Sequence, residues 1–387
     1  MVKRKQGGPP NRWLLYISTF AFAILFIVLG RLVAMQGYPQ WEETGDTPAL
    51  RAKVTAVTEV RPVDNGNLYL FSAQMLSGEQ KGETIQGYQG VYTNYYPVQT
   101  PLTPGDRILV YAKPDSETAP WVMQDYLRFS YIAVLGGLFC LGVLLFGRFK
   151  GLNTLISLLF TCLAVFAVYI PSILSGKSIY LWTVIICTYI IIMTMLFING
   201  TDKKSFCAGL GCFCGVCVAG LIAFIMNHVM KLTGMANEDT LYLTMLPLEQ
   251  AIDLNAIIFG TITIGALGAV MDVAMDISSA LNEIHAQNPR LGRLGLIRSG
   301  FNIGRDIMGT MANTLVLAYI GCDLATTLLL CAYNVSPIEL MNMELIINEF
   351  LNALAGSFGI LMTIPLTSFI CSLVYPQKEN APPPLYY

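Results

Sequence analysis

The amino-acid sequence predicts an α-helical polytopic membrane protein with about eight transmembrane helices and a small extracytoplasmic all-β domain. Of the 387 residues, 54% are hydrophobic and only 12% are charged, whereas a typical soluble domain is about 25% charged. Long apolar stretches alternate with short polar loops, and one longer polar segment has strand-like patterning. The net charge of −2 offers no basic surface, so we expect a lipid bilayer and no nucleic acid as a partner.

Eight stretches come close to the length of about 20 mostly apolar residues that a membrane-spanning helix requires. They run approximately over Trp13–Met35, Tyr126–Phe146, Leu152–Leu174, Tyr180–Phe197, Phe206–Val229, Leu254–Met275, Gly309–Ala332 and Ala355–Tyr375. The first stretch is longer than the apolar region of a signal peptide, and Arg31 and bulky residues stand where a cleavage site would be. We therefore predict that it is an uncleaved anchor.

Basic residues in the short loops predict the orientation, because cytoplasmic loops are enriched in Lys and Arg. Thirteen of them fall on one side if the N-terminus is cytoplasmic, and only Lys177 and Lys231 fall in the short loops of the other side. Both termini are therefore predicted to be cytoplasmic. The cytoplasmic set is Lys3, Arg4, Lys5, Arg12, Arg148, Lys150, Lys203, Lys204, Arg290, Arg293, Arg298, Arg305 and Lys378.

The first loop, residues 37–125, is the only segment able to fold as a soluble domain. It contains five short strand patterns separated by turn signals such as Asp64-Asn-Gly-Asn67 and Thr103-Pro-Gly-Asp106. Five strands in so short a segment predict a small barrel, similar in shape to an oligonucleotide-binding (OB) barrel. An aromatic run, Gln86–Tyr96, either contributes to the barrel core and contacts the membrane surface or binds a partner.

The remaining chain divides into a bundle and two short termini. Residues 1–36 form the N-terminus and anchor, residues 126–375 form a seven-helix bundle, and residues 376–387 form a cytoplasmic tail. Interfacial or re-entrant segments are expected near residues 240–253 and 337–352. Ser336 before Pro337 is a helix-start signal, and the tripeptide Leu-Asn-Ala recurs at residues 254–256 and 351–353.

Ionisable residues inside membrane spans are rare and are functional candidates by default. Asp272, Asp276 and Glu283 share one helix face with Ser279 and Asn282. We predict that Asp272 and Asp276 belong to a transport pathway in the cytoplasmic half of the bundle.

The next helix carries a comparable polar face. Thr310 and Asn313 are predicted to line the same pathway, and Asp323 is predicted to continue it toward the outside. Arg305 and Asp306 are predicted to form a cytoplasmic gate with Glu283, Asn282 and Asn313, and Arg305 is placed to pair with Asp276 or Glu283. The alternative is that these residues only form hydrogen bonds and an Arg–Asp contact between helices.

No metal site is predicted from the cysteines. Cys212, Cys214 and Cys217 have a ligand-like spacing, but they lie in an apolar helix with no His cluster. We also expect no cofactor and no catalytic residue, because the sequence shows no nucleotide-binding loop, no Ser–His arrangement and no His–Glu zinc motif.

Two motifs resemble the signature of the YibE/F-like family of bacterial multi-pass membrane proteins. They are Gly268-Ala-Val-Met-Asp-Val-Ala-Met-Asp276 with Ser279-Ala-Leu-Asn-Glu283, and Ile303-Gly-Arg-Asp-Ile-Met-Gly-Thr-Met-Ala-Asn-Thr-Leu315. The similarity extends to the anchor, the β-domain and the helical bundle. It implies a bacterial plasma-membrane protein, but it supplies neither a substrate nor binding residues.

Two functions therefore remain open at the level of sequence. The first is a transporter or channel-like protein, coupled to an ion or proton through its intramembrane carboxylates. The second is a non-transporting scaffold or accessory factor for protein secretion or envelope biogenesis, which acts through the β-domain. Expected partners are a small ion or solute, an extracytoplasmic protein, or a second copy of the chain.

Overall fold

Helices make up most of the structure, as the apolar composition predicts. The computed structural model describes residues 12–39, 49–63, 65–92, 100–113, 119–235, 238–248, 250–322, 324–325, 328, 332 and 336–375. The chain forms two units, one of Met1–Pro39 with Gly147–Tyr387 and the other of Gln40–Phe146. The helices are α1 Arg12–Ala34, α2 Phe129–Ala164, α3 Ile170–Leu174, α4 Ile179–Asn199, α5 Lys203–Val229, α6 Glu238–Thr244, α7 Leu254–Gln287, α8 Arg293–Cys322, α9 Pro337–Leu340 and α10 Glu344–Val374.

Six helical stretches among the described residues are long and apolar enough to cross a membrane, which indicates a membrane-embedded protein. They are Tyr16–Ala34, Phe129–Leu174, Ile179–Asn199, Lys203–Val229, Leu254–Gln287 and Glu344–Val374. Phe129–Leu174 contains most of two predicted spans. The predicted span from Gly309 corresponds to part of α8, whose first half carries Arg and Asp residues. The number of eight crossings stays a prediction.

The long α2 helix is interrupted, and the boundary between the two units falls at the interruption. Arg148 has a non-helical backbone conformation with φ 47° and ψ −126°. Further along, a π-helical turn over Val165–Tyr169 precedes Pro171 near the start of α3. Because proline has no backbone N–H and clashes with the preceding turn, it disrupts regular α-helical hydrogen bonding there.

The β-domain is a closed five-stranded barrel in the order β1-β2-β3-β5-β4, so the predicted small barrel is confirmed. Its strands are β1 Leu50–Val63, β2 Gly66–Met75, β3 Thr84–Tyr92, β4 Arg107–Ala112 and β5 Trp121–Tyr126. β1 pairs with both β2 and β4, and register irregularities after Val54 and Val57 let this long strand bend around the barrel. Alternate residues such as Val54, Phe71 and Ile108 fill the interior.

The predicted turns are present where the structure describes them. Asn65 has a positive φ of 65° between β1 and β2, which suits the tight turns that join antiparallel strands. Before β4, the Asp106 carboxylate accepts hydrogen bonds from the backbone N–H and the hydroxyl group of Thr103, at 2.8 and 2.9 Å. Residue 64 lies outside the described residues.

Three helices, α5, α7 and α10, form the centre of the helical unit. They approach closely because glycines stand at the crossings. A Cβ atom at Gly359 would lie 2.9 Å from Ala219 Cβ, and Cβ atoms at Gly211 and Gly215 would clash with Thr367 and Thr363. Small residues at such positions are typical of helix packing within membranes.

Other helices pack around this centre. α1 and α4 contact each other through Phe26 and Tyr189, whose rings stack with centroids 3.9 Å apart. α8 packs against α7 and α10. α9 begins at Pro337, where the Ser336 hydroxyl accepts a hydrogen bond from the backbone N–H of Glu339, so the predicted helix start is confirmed.

Candidate functional site

The polar residues of α7 form one line along a helix whose other faces are buried. Asp272, Asp276 and Glu283 are exposed, as are Gly265 and Gly268. Their spacing places them on one helix face. We call this line the α7 stripe; it consists of Gly265, Gly268, Asp272, Asp276, Ser279 and Glu283, of which Ser279 is half-buried.

Two neighbouring helices border the α7 stripe. On one side, Asn199 of α4 donates a hydrogen bond from Nδ2 to Met275 Sδ over 3.5 Å. On the other side, the hydroxyl group of Tyr319 in α8 packs so closely on Gly265 that a Cβ atom there would clash. The α7 stripe therefore opens outward between α4 and α8, away from the centre of the helical unit.

A second polar line runs along the outward face of α8. The opposite face is buried, with Gly300 packed against Ser368 and Gly304 against Ile364, both of α10. We call the exposed line the α8 stripe; it consists of Arg298, Asn302, Arg305, Asp306, Gly309, Thr310 and Asn313, all of them exposed.

Contacts between the two helices establish which of their residues lie at the same level. α7 and α8 are antiparallel neighbours, and Leu281 Cδ1 would be 3.2 Å from a Cβ atom at Gly300. Asp276 is five residues before Leu281, and Arg305 is five residues after Gly300. Since both helices rise equally per residue, Asp276 and Arg305 are level along the helical unit.

These charges nevertheless form no ion pair with any other described residue of the chain. Over the part of the chain that the structure describes, the ion pairs are Arg61–Glu59 and Arg128–Asp125, both near the β-domain. Glu283 accepts a hydrogen bond from Gln287 of its own helix at 3.1 Å. The expected pairing of Arg305 with Asp276 or Glu283 is therefore not formed within the described residues.

The remaining predicted site residues are distributed as follows. Asn282 is half-buried beside the α7 stripe, and the Thr310 hydroxyl donates a hydrogen bond to the Ile307 carbonyl oxygen at 2.8 Å. Asp323 lies outside the described residues. The structure thus places Asp272, Asp276, Thr310 and Asn313 on two adjacent outward faces rather than in the interior of the unit.

Direct exposure of these carboxylates to lipid would be costly. A single Asp at the centre of a membrane helix costs about 2.5 to 3.5 kcal/mol, so two would cost roughly 5 to 7 kcal/mol. That sum is comparable with the whole net stability of many proteins, which is about 5 to 15 kcal/mol. Water, a counter-charge or a protein partner is therefore needed at Asp272 and Asp276.

A second polar group, which the sequence-based prediction missed, lies inside the helical unit. It lies where α5 ends and where α7 and α10 begin, at the opposite end from the α7–α8 connection. The side-chain oxygens of four asparagines there are buried and have no protein partner among the described residues. The four are Asn227, Asn255, Asn348 and Asn352.

These asparagines are linked to one another by position and by one hydrogen bond. Asn227 Nδ2 donates to the backbone carbonyl oxygen of Asn255 at 3.1 Å, which joins α5 to α7. Asn348 and Asn352 are one turn apart on α10 and are both buried. The repeated Leu-Asn-Ala tripeptide contains two of the four residues, and it was the sequence signal that could have revealed this group.

The chemistry available at the two stripes is that of carboxylate, guanidinium, hydroxyl and amide groups. Within the described ranges, no three His, Cys, Asp or Glu side chains lie close enough together to hold a metal ion. Cys212 is buried whereas Cys217 is exposed, so the cysteines of α5 do not converge. Carboxylates of this kind can bind and release a proton or a small cation.

Six helices that are long and apolar enough to cross a membrane, one of them with carboxylates on an exposed face, indicate a membrane protein. The model of the YibE/F-like protein family matches residues 135–377, which include both stripes and the inner asparagines. The chain belongs to the YibE/F-like family. Searches of curated proteins and of solved structures give no match.

Proposed function

We propose that the protein is a membrane transporter or channel-like protein coupled to a proton or small cation. Asp272 and Asp276 would line the transport pathway, and Thr310 and Asn313 of the adjacent α8 stripe would assist with polar contacts. Asp323 is proposed to continue this pathway. The proposal includes no catalytic step.

One observation carries this proposal. Two carboxylates one helical turn apart lie on an apolar helix of membrane-spanning length, exposed and without an ion pair among the described residues. A carboxylate with only a structural role would be held by donors, as the half-buried Glu344 is held by the backbone N–H groups of Thr233 and Gly234. Unpaired carboxylates within the membrane are typical of ion and proton pathways.

The gate proposed at the α7–α8 end consists of Glu283, Asn282, Arg305 and Asp306. Glu283 and Asn282 lie near the short connection between the helices, whereas Arg305 lies deeper in α8, level with Asp276, so the group carries both signs of charge along this end of the two helices. Movement of the connection would change the distance between Glu283 and Arg305, and with it the access of ions to Asp276.

The proposed location is the bacterial plasma membrane, with both termini in the cytoplasm and the β-domain outside. The distribution of Lys and Arg over the short loops supports this orientation. We further propose that the barrel is OB-like, since its strand order is that of a five-stranded Greek-key barrel.

Flux measurements on purified protein in proteoliposomes test the proposal. We expect proton, Na⁺ or K⁺ gradients to drive a flux that Asp272→Asn and Asp276→Asn reduce by at least about tenfold. Asp202→Asn is the matched control, because Asp202 is also exposed but is the residue before α5 and belongs to neither stripe. Folded protein that gives no flux with any of these gradients would refute the proposal.

A scaffold or accessory function is the second candidate, and one observation on the β-domain favours it. The end of β1 and the neighbouring strands expose apolar side chains: Val60 is 49% exposed, Val63 is 38% exposed and Tyr92 is 39% exposed. Apolar side chains grouped on a protein surface are common at protein–protein contacts.

Crosslinking distinguishes this second function from transport. A photoreactive residue at Val60 should recover a specific envelope or secreted protein, whereas one at Glu79, in an exposed turn of the same barrel, should not. In that case Asp272→Asn and Asp276→Asn should alter stability and leave the crosslink unchanged. Equal crosslinking from both positions would argue against the scaffold.

A further inference from the structure

We propose that the α7 stripe and the α8 stripe form the interface of a homodimer. The α7 stripe of one chain would pack against the α8 stripe of the other, and the reverse contact would form at the same time. The inference rests on the proposed function, since it identifies what covers the carboxylates of the pathway.

Charge complementarity between the stripes carries the proposal. Asp276 and Glu283 are seven residues apart on α7, and Arg298 and Arg305 are seven residues apart on α8. Asp276 is level with Arg305, as the contact of Leu281 with Gly300 establishes. By the same contact, Glu283, two residues after Leu281, is level with Arg298, two residues before Gly300. Two acids and two arginines therefore match in level and in spacing.

A two-fold axis along the membrane normal preserves these levels. Every residue then lies at the same depth in both chains, so Asp276 of each chain can pair with Arg305 of the other. Such an interface is isologous, the commonest type in homodimers. It supplies four ion pairs where a single chain, over its described residues, makes none at these positions.

The small residues of the stripes allow the helices to approach closely. The space that a Cβ atom would occupy is open at Gly268 and at Gly309: apart from the backbone of their own helix, no atom of the described residues lies within 4 Å. Small residues on an outward helix face permit close packing of a second membrane helix. Glycines thus stand beside the charged pairs on both stripes.

The remaining apolar helix of the same chain is a poor alternative occupant. The stretch Phe129–Phe146 contains no Lys, Arg, Asp or Glu, so it cannot neutralise Asp276 or Glu283. A second copy provides the required arginines at the required depth.

The dimer assigns different roles to the two aspartates. Asp272 is nine residues before Leu281 and is therefore level with Gly309, nine residues after Gly300, where α8 has no arginine. Asp276 would be neutralised by Arg305 of the other chain. Asp272 would lie near Asp306, Thr310 and Asn313 of the other chain without an arginine at its own level, and it is the carboxylate left free to bind the coupling ion.

Charge reversal in two differently tagged, co-expressed chains tests the interface. The protein should be dimeric in lipid nanodiscs, as judged by single-molecule photobleaching. Asp276→Arg alone and Arg305→Asp alone should each lower the dimer fraction by at least about tenfold. A mixture of the two variants should restore dimers that contain one chain of each kind, because only the mixed dimer has opposite charges at both contacts.

Pairing within a chain cannot explain that rescue, since each variant chain carries like charges at both positions. Asp202→Arg co-expressed with Arg305→Asp is the control: Asp202→Arg chains should dimerise with one another, but they should recover the Arg305→Asp chain in mixed dimers less than Asp276→Arg does, because one contact of that mixed dimer would place two carboxylates together. Size-exclusion elution and helical content establish that each variant is folded. A monomeric wild-type protein, single variants that dimerise normally, a mixture without mixed dimers, or a complex with a different protein would each overturn the proposal.

The same variants separate the dimer from the transport activity. Asp272→Asn should leave the dimer fraction unchanged and abolish flux, whereas Asp276→Arg should reduce both. Dimers without flux would contradict the proposed function alone, and flux from a monomer would contradict the dimer alone.

Discussion

Gly211→Ala is expected to destabilise the central contact between α5 and α10. Gly211 is buried, and a Cβ atom there would clash with the hydroxyl oxygen of Thr367 and would lie 2.9 Å from Thr367 Cβ and 3.2 Å from its Cα. The last of these is a backbone atom, so rotation of the Thr367 side chain cannot relieve the contact. Either helix must shift, although both are packed along most of their length.

The expected magnitude follows from two opposing effects. Overpacking of a well-packed core costs about 1 to 3 kcal/mol. The cost of a methyl group this close to a helix backbone should lie at the upper end of that range. Replacement of glycine by alanine inside a helix returns about 1 kcal/mol through helix propensity. We therefore expect Gly211→Ala to lower the free energy of unfolding by about 1 to 2 kcal/mol.

Gly209→Ala provides a matched control on the same helix. A Cβ atom at Gly209 would have ordinary contacts, 3.6 Å to Met195 Cγ and 3.7 Å to Ile191 Cγ2. Because Gly209→Ala causes no clash, only the higher helix propensity of alanine acts, and this variant should be more stable than the wild type by about 0.5 to 1 kcal/mol. SDS titration in bicelles, followed by circular dichroism, measures the free energy of unfolding of each variant.

A rescue variant completes this test. The hydroxyl oxygen of Thr367 has no hydrogen-bond partner among the described residues, so Thr367→Gly sacrifices no side-chain hydrogen bond and removes the nearest obstructing atoms. The double variant Gly211→Ala, Thr367→Gly should be more stable than the sum of the two single-variant effects predicts, by about 1 kcal/mol or more. Equal stability of Gly211→Ala and Gly209→Ala, or additive effects in the double variant, would refute the packing argument.

Two further predictions concern carboxylates outside these stripes. The Glu344 carboxylate accepts hydrogen bonds from the backbone N–H groups of Thr233 and Gly234 and from the Thr233 hydroxyl. Because Glu344→Ala leaves these donors without their acceptor, it should lower the free energy of unfolding by about 1 to 3 kcal/mol, measured by the same SDS titration. The backbone N–H of Tyr126 and the guanidinium of Arg128 hold the pKa of Asp125 below its ordinary value. Its contribution to barrel stability should therefore be complete at pH 7 and should be lost progressively as the pH falls below about 4. Hydrogen exchange of β4 and β5 should show that Asp125→Asn increases exchange at pH 7, and this increase should shrink as the pH is lowered and the carboxylate is protonated.

The sequence predicted the β-domain closely because its signals are local. Strand alternation and the turns at Asn65 and Gly105 depend on neighbouring residues, and the structure places five strands near the predicted positions. The apolar helices were recognised for the same reason, since length and hydropathy alone identify a spanning helix. Their limits were less predictable: α7 continues after its predicted apolar stretch and α8 begins well before its own, because amphipathic turns extend each helix.

The direction in which the polar faces point could not be predicted. The spacing of Asp272 and Asp276 shows that they share a face, but the packing of α7 on α5 and α10 decides which face is buried. Glycines on α5 and α10 select the buried face, through contacts such as Gly215 with Thr363. That information is distributed over helices distant in sequence. The asparagines were overlooked because each is an isolated neutral residue in an apolar stretch.

The buried asparagines give the last prediction. A buried acceptor without a partner costs about 1 to 3 kcal/mol, and Asn352 is such a residue within the described chain. Asn352→Leu, which is similar in size and apolar, should therefore raise the free energy of unfolding by about 1 kcal/mol or more.

The Asn352 substitution also separates a structural role from a functional one. A residue retained against its stability cost is commonly retained for function, so we expect Asn352→Leu to reduce ion flux in proteoliposomes while it stabilises the fold. Ser357→Ala is a suitable control, because the Ser357 hydroxyl only donates to the Ala353 carbonyl oxygen of its own helix. A loss of stability in Asn352→Leu would show instead that ordered water or an ion already binds the Asn352 amide oxygen, so that its hydrogen-bonding capacity is satisfied in the folded protein.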